Sequence, residues 1–234
     1  MVHPGTLLKA SFMASRAFFR SPVQGRVRHL LTADEAPSEM VPIRSIGASH
    51  AGRITSHLLA LEAPDRYLRF GYAANDEQIG RYVAGLNFER DEIFGIYNRK
   101  LELIAMAHLA FSTDPEHQSC AEFGVSVLAH ARGRGYGARL FDRAAMHSRN
   151  EGVQMMFIHA LSENTAMLNI ARKAGATVER DGSETEAYLK VQPADLGSRM
   201  SEMLDEQIAQ TDYRLKVQAK KFWDFLALLQ QVRQ

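Results

Sequence analysis

The chain has a single cysteine, Cys120, among its 234 residues. One thiol cannot close an intramolecular disulfide, so packing alone must hold the fold, and the composition suits a reducing, cytoplasmic compartment. Cys120 stands just before an apolar stretch, where ordinary partial burial rather than chemistry is the expectation for a free thiol. No apolar run approaches the ~20 residues that a bilayer-spanning helix needs. Neither sign of charge dominates: 28 Lys and Arg face 27 Asp and Glu, a formal net charge of +1. Such balance offers no global attraction to nucleic acid or to an anionic membrane, and no paired recognition module for nucleic acid is present. Cysteine and histidine form no cluster with metal-ligand spacing, so no required metal is expected.

The charges are unevenly placed. Residues 1–31 contain Lys9, Arg16, Arg20, Arg26 and Arg28 and no acid, interleaved with Phe12, Phe18 and Phe19. The stretch lacks the continuous apolar core and cleavage site of a secretory signal. It reads as a basic N-terminal arm and linker over 1–38, the acidic, proline-containing linker running from Asp34 to Pro42 into a folded domain over 39–192. From Pro193 onward Leu196, Met200, Met203, Leu204 and Ile208 recur at helical spacing, and Leu215, Ala219, Phe222, Leu226 and Leu229 repeat the pattern. The expectation over 193–234 is an amphipathic helical pair that buries its stripe on the domain or across a homodimer.

Within the domain, residues 41–46 predict a strand, and 49–61 a helix with Ile54, Leu58 and Leu61 on one face. Asn75 or Asp76 caps a helix running to Leu86. Strands follow over 92–97 and 101–111, joined by a hairpin connection at Asn98–Lys100. Residues 121–128 form a strand, 135–149 a helix, 152–160 a strand and 164–174 a helix. A closing hairpin pairs 177–180 with 184–191 about Asp181-Gly182. Uneven alternation with hairpins at both ends predicts a mixed α/β domain, its mixed central sheet flanked by helices.

Between the strand ending at Leu128 and the next helix lies Arg132-Gly133-Arg134-Gly135-Tyr136-Gly137. Glycines let the backbone approach a ligand closely, and a helix starting there aims free N–H groups and its positive dipole end at an anion. No lysine and hydroxyl residue follow, which argues against a nucleoside-triphosphate loop, and the glycine spacing fails the dinucleotide fingerprint. The order strand, glycine-rich turn, helix reads as a site for a phosphorylated cofactor.

Arg132-x-x-Gly135-x-Gly137 resembles the pyrophosphate loop of the GNAT acyltransferase superfamily. Glu163-Asn164-Thr165-Ala166-Met167, continuing to Ala171-Arg172-Lys173-Ala174-Gly175, is similar to that superfamily's next motif. The resemblance spans residues 42–191. It implies the acyl-CoA N-acyltransferase fold and direct transfer of an acetyl group from acetyl-CoA to a primary amine, a protein lysine or a small amine, with CoA as product. The cofactor contacts it implies fall on Val125, Ser126 and Val127 of the strand, on Arg132, Gly133, Arg134, Gly135, Tyr136 and Gly137 of the loop, and on Asn164. Ala121-Glu122-Phe123-x-Val125-x-Val127 further resembles bacterial protein-lysine acetyltransferases of the Pat type, whose glutamate serves as general base. Glu122 is therefore the catalytic candidate. Leu61 to Phe70 is similar to the early segment of those domains, with Arg66 and Arg69 shaping the acceptor side or anchoring the fold.

One departure stands out. Many members of the superfamily place a tyrosine where this chain has Ala171, and there it protonates the departing thiolate. Its absence keeps open a second reading, an acyl-CoA-binding regulatory protein with weak chemistry. His159 and Ser162 are reserve participants, and His108 is expected to be a packed, hydrogen-bonded histidine.

Overall fold

Apolar runs and period-two alternation in the sequence become a seven-stranded sheet. The computed structural model describes residues 41–181 and 184–231; the N-terminal arm and Gly182 of the expected turn lie outside them. Chain order gives β1 (Arg44–Ser45), α1 (Ala51–Leu59), α2 (Ala63–Phe70), α3 (Asp76–Ala84), β2 (Glu92–Tyr97), β3 (Leu103–Phe111), β4 (Cys120–Val127), α4 (Tyr136–Asn150), β5 (Met155–Leu161), α5 (Thr165–Lys173), β6 (Thr177–Asp181), β7 (Glu184–Lys190) and α6 (Leu196–Gln231). The strands lie in the order β1-β2-β3-β4-β5-β7-β6. All neighbours are antiparallel except β4 and β5.

β3 is buried along nearly its whole length, because helices cover both faces of the sheet. On one face α1 and α3 pack Ile54, Leu58, Ile79 and Val83 against Ile93, Leu103 and Met106. On the other, α4 buries Leu140, Phe141 and Ala144, with Phe123 and Phe141 edge to face at 5.1 Å. Asn75 caps α3 in a reciprocal capping box with Gln78, both bonds 2.9 Å. Residues 63–70, given no element from sequence, form α2. Pro64 sits in its first turn and Gly71 ends it at φ 76°, the proline-in, glycine-out arrangement of a short helix.

A parallel pairing that stops early shapes the middle of the sheet. β4 follows β3 from Phe111↔Ala121 to Ala105↔Val127. With β5 it pairs only at Cys120↔Met155, Ala121↔Met156 and Glu122↔Phe157. Beyond Glu122 the two strands part.

His57 ties α1 across β3 and β4. Its Nδ1 lies 2.8 Å from Leu103 O, which can only accept, so Nδ1 carries the proton and Nε2 accepts from the Ser126 hydroxyl at 2.8 Å. Burial lowers the pKa of His57 to about 4, outweighing the backbone hydrogen bond that raises it; the Arg69 charge lowers it further.

The tail departs from expectation. It is one helix of 36 residues, not a pair, and it docks through Glu202 and Glu206, with Ala209 buried and Tyr213 packed against the core. Glu202 meets Arg143 Nη1 at 2.9 Å and His147 Nδ1 at 2.6 Å and accepts from Asn150; Glu206 reaches Arg143 at 3.4 Å. Burial alone would raise the Glu202 pKa, but hydrogen bonds from His147 and Asn150 and the charges of His147 and Arg143 hold it near 2. The apolar stripe points the other way: Leu196, Met200, Met203, Leu204, Leu215, Phe222, Trp223 and Phe225 are exposed. Its burial on the domain is thus overturned, because buried Arg143 recruits acids, not methyl groups. No helix among the described residues is long and apolar enough to cross a membrane.

Two stability predictions follow from these contacts. Unfolded His57 titrates near ~6.5 and folded His57 near 4, so between those values the unfolded chain binds the extra proton. Stability should fall as pH drops through that window, by about 2–3 kcal/mol at its lower end. Urea unfolding at several pH values should show this slope in wild type and a flatter one in His57→Gln. For the tail, Glu202→Gln leaves Arg143 short of counter-charge. It should loosen α6 by about 1–3 kcal/mol, read as faster amide exchange in the first half of α6 with the sheet unaffected.

Candidate functional site

β4 presents an open edge where β5 has left it. Leu128 N donates to Ile104 O at 3.0 Å, so residue 128 turns its backbone toward β3. Alternation then turns the N–H and C=O of Val127 and Val125 to the opposite side, facing the gap. Arg132 Nε reaches Val127 O from that side at 3.3 Å. Ser126 is placed differently: its backbone faces β3 and its hydroxyl is held by His57, so it braces the strand rather than lining the edge.

The glycine loop sits at the end of this edge. Ala129–Ala131 makes one 3-10 turn, and the chain then passes through Gly133 and Gly135 at φ 75° and 73°, left-handed values that strain any other residue. Gly135 is the N-cap of α4 and no side chain caps the helix. The first-turn N–H groups and the positive end of a 15-residue helix therefore stand beside the gap. A Cβ on Gly137 would come 3.1 Å from Ile170 Cδ1, so this glycine lets α4 start close against α5. Tyr136 is half-buried and Arg134 exposed. Arg132 is engaged elsewhere, in an ion pair with Asp65 of α2. Asn164 caps α5, its Oδ1 accepting from Met167 N at 3.2 Å.

Glu122, Gly124 and the Ser126 hydroxyl share the face of β4 that meets α1, α2 and α3. Glu122 is half-buried, and its Oε2 is buried with no hydrogen-bond partner among the described residues. Arg69 of α2 lays its guanidinium on Gly124: a Cβ there would be 2.9 Å from Cζ, Nη1 and Nη2. A chain of hydrogen bonds fixes that cation. Arg69 Nη2 donates to the Tyr82 oxygen at 2.9 Å, so the Tyr82 hydroxyl donates to His108 Nδ1 at 2.8 Å, and His108 Nε2 donates to Asp91 Oδ2 at 3.1 Å. Arg90 closes the chain with bonds of 2.7 and 3.0 Å to Asp91. Burial raises the Tyr82 pKa, keeping the phenol protonated. Burial would also raise that of Asp91, but hydrogen bonds from His108 and Arg90 outweigh it and lower it.

His108 is thus packed and hydrogen-bonded. Arg66 anchors the fold, donating to Leu61 O, Leu59 O and Asp76 at 3.0, 2.7 and 2.6 Å. Among the described residues, neither member of the reserve pair hydrogen-bonds to Glu122. His159 is exposed, stacked on Phe157 and 3.9 Å from Glu186, while Ser162 shares a 2.8 Å hydrogen bond with Thr185. Cys120 is buried, which pushes its thiol pKa up. Ala171, where a tyrosine was looked for, is fully buried. A cavity of about 610 Å³ opens between α4, β7 and α6, and none of these site residues lines it. Sequence reasoning missed the roles of His57, Tyr82 and Asp91. No periodicity distinguishes a tyrosine that packs, as Tyr82 does in α3, from one that also relays a hydrogen bond.

Residues 57–176 match the model of the acetyltransferase (GNAT) family. No curated protein sequence matches the chain significantly. Among solved structures, the GNAT domain of S. lividans PAT superposes with TM-score 0.54 at 20% identity, covering 63% of this chain and 89% of that one. An N-acetyltransferase from Staphylococcus aureus Mu50 gives TM-score 0.52 at 15% identity, covering 64% and 98%. Spermidine N-acetyltransferase from Vibrio cholerae, in complex with CoA and spermine, gives 0.51 at 16% identity, covering 64% and 94%. At such identities the structural likeness speaks for the fold alone. The family match, which takes in just over half of the 234 residues and contains both the parted strands and the uncapped glycine loop, makes this chain a member of the GNAT acetyltransferase family.

Proposed function

We propose that the protein transfers an acetyl group from acetyl-CoA to a primary amine, with Glu122 as general base. The observation that carries this reading is the gap between β4 and β5, bordered by unpaired strand-edge groups and ending at the uncapped N-terminus of α4. A long molecule with amides along its arm and phosphates at one end matches that sequence of groups. The Val125 and Val127 backbone would hold the pantetheine amides, and the N–H groups of Gly135, Tyr136 and Gly137 would hold the pyrophosphate, with Gly133 shaping the turn. Arg134, exposed, would supply one charge; Arg132 would add a second on exchanging Asp65 for phosphate. Asn164 fixes the start of α5 at the far wall of the gap.

Bound there, acetyl-CoA supplies an acyl carbon already activated as a thioester. Glu122 takes one proton from the incoming ammonium, leaving a lone pair on nitrogen. The Val127 N–H is the donor assigned to the acyl oxygen. As the N–C bond forms the C–S bond breaks: the sulfur leaves as thiolate, since alanine at position 171 has no proton to give, and the second proton on nitrogen passes to water or to that thiolate. Held geometry therefore does most of the work.

The buried alanine also favours a second reading, a protein that binds acyl-CoA to regulate a partner. Calorimetric acetyl-CoA binding without turnover on any amine would select it.

Glu122→Gln is expected to lower acetyl transfer by about 10²–10⁴-fold while acetyl-CoA binding, measured separately by calorimetry, stays intact. Transfer at the wild-type rate would remove Glu122 as the base. Gly135→Val should instead weaken acetyl-CoA binding, because a β-branched residue resists the left-handed conformation by about 1–2 kcal/mol and displaces the loop. Unchanged affinity in a folded variant would refute the role of the loop.

A further inference from the structure

Two complementary buried atoms lie on the acceptor-side face of β4 without hydrogen-bond partners among the described residues: Glu122 Oε2, an acceptor, and Arg69 Nε, a donor. Buried polar atoms are nearly always paired in native proteins, so a pair of unlike orphans asks what satisfies them. They are close along the strand. The Arg69 guanidinium rests on Gly124, and Glu122 is the previous residue on the same face, about 6.6 Å away between alternate Cα atoms.

The cation is held in place. Tyr82 binds one guanidinium nitrogen, His108 and Asp91 hold Tyr82, and Arg69 Cζ lies 5.3 and 5.5 Å from the Phe70 and Tyr82 ring centroids. Among the described residues no carboxylate forms an ion pair with Arg69. A fixed positive charge beside the base opposes an incoming ammonium unless the acceptor brings its own negative charge.

Resting on the transferase reading above, we infer that the acceptor is an amino-acid-type amine: its ammonium is received by Glu122 and its own carboxylate by Arg69 across Gly124. A carboxylate presents two acceptor oxygens to a guanidinium fork, which suits Arg69 once Tyr82 has taken one of its five donors. The same geometry disfavours a polyamine, which is cationic along its length, and a protein lysine, whose amine has no carboxylate nearby.

The test is a matched acceptor panel at fixed acetyl-CoA: free amino acids, the corresponding amino-acid amides, spermidine and a lysine-containing peptide. Wild-type protein should use the acids over their amides by about 10- to 100-fold in kcat/KM, the range for a hydrogen-bonded charge. Arg69→Gln should collapse that ratio, and Arg69→Lys should retain part of it. Gly124→Ala, which keeps Arg69 but pushes on its guanidinium, should lower the ratio too, with thermal melts confirming that each variant folds. Amides equal to acids, spermidine or the peptide as the best acceptor, or an unchanged ratio in Arg69→Gln would overturn the inference while leaving the transferase reading standing. Acetyl-CoA binding with no amine of any class acetylated would overturn that reading and this inference with it.

Discussion

Everything at the candidate site follows from β4 losing one neighbour while keeping the other. Antiparallel pairing with β3 continues to Val127, but the parallel ladder with β5 ends after Glu122. Backbone N–H and C=O groups are obligatory hydrogen-bonding groups, and a sheet does not leave them unpaired without cause. The open edge must be maintained against closure, and the structure does this from both sides. His57 braces β4 through Ser126 and β3 through Leu103. On the far side β5 is drawn to β7 along its whole length, from Met155↔Lys190 to Leu161↔Glu184.

The same strand divides the chemistry between its two directions. Backbone groups at its edge face the gap and the glycine loop, while alternate side chains face α1, α2 and α3. A cofactor laid along the edge and an acceptor arriving over the face would meet between Glu122 and Val127, beyond the point where pairing with β5 stops. Gly124 allows the second arrangement as much as the glycine loop allows the first, since a Cβ there would push on the guanidinium of Arg69. The chain from Arg69 through Tyr82 and His108 to Asp91 then works as a brace, because each donor direction is forced by what its neighbour can accept.

Much of this was legible in the sequence. The central strands and helices fell within a few residues of their observed bounds, and Gly133 and Gly135 marked a left-handed turn at a helix start. What escaped were pairings between residues distant in the chain. His57 and Ser126 are 69 positions apart, and Asp91, in the bend before β2, is 17 positions from His108; nothing in either local pattern announces the partner. Helix α2 escaped for another reason. It is eight residues long with no fully buried residue, too short for an apolar period to repeat, and is marked only by a proline near its start and a glycine after its end.

The tail shows where hydrophobic periodicity misleads. Its apolar residues predict the helix well, because any stripe at that spacing favours one. They do not predict which side docks, since the deciding partner lies on α4. Arg143 is 5% exposed, lies 5.0 Å from the centroid of the Phe94 ring and has Glu202 and Glu206 within reach. A buried guanidinium without acids would cost several kcal/mol, so the two acids of α6 turn inward to Arg143. The apolar stripe lies on other sides of the helix and stays outward.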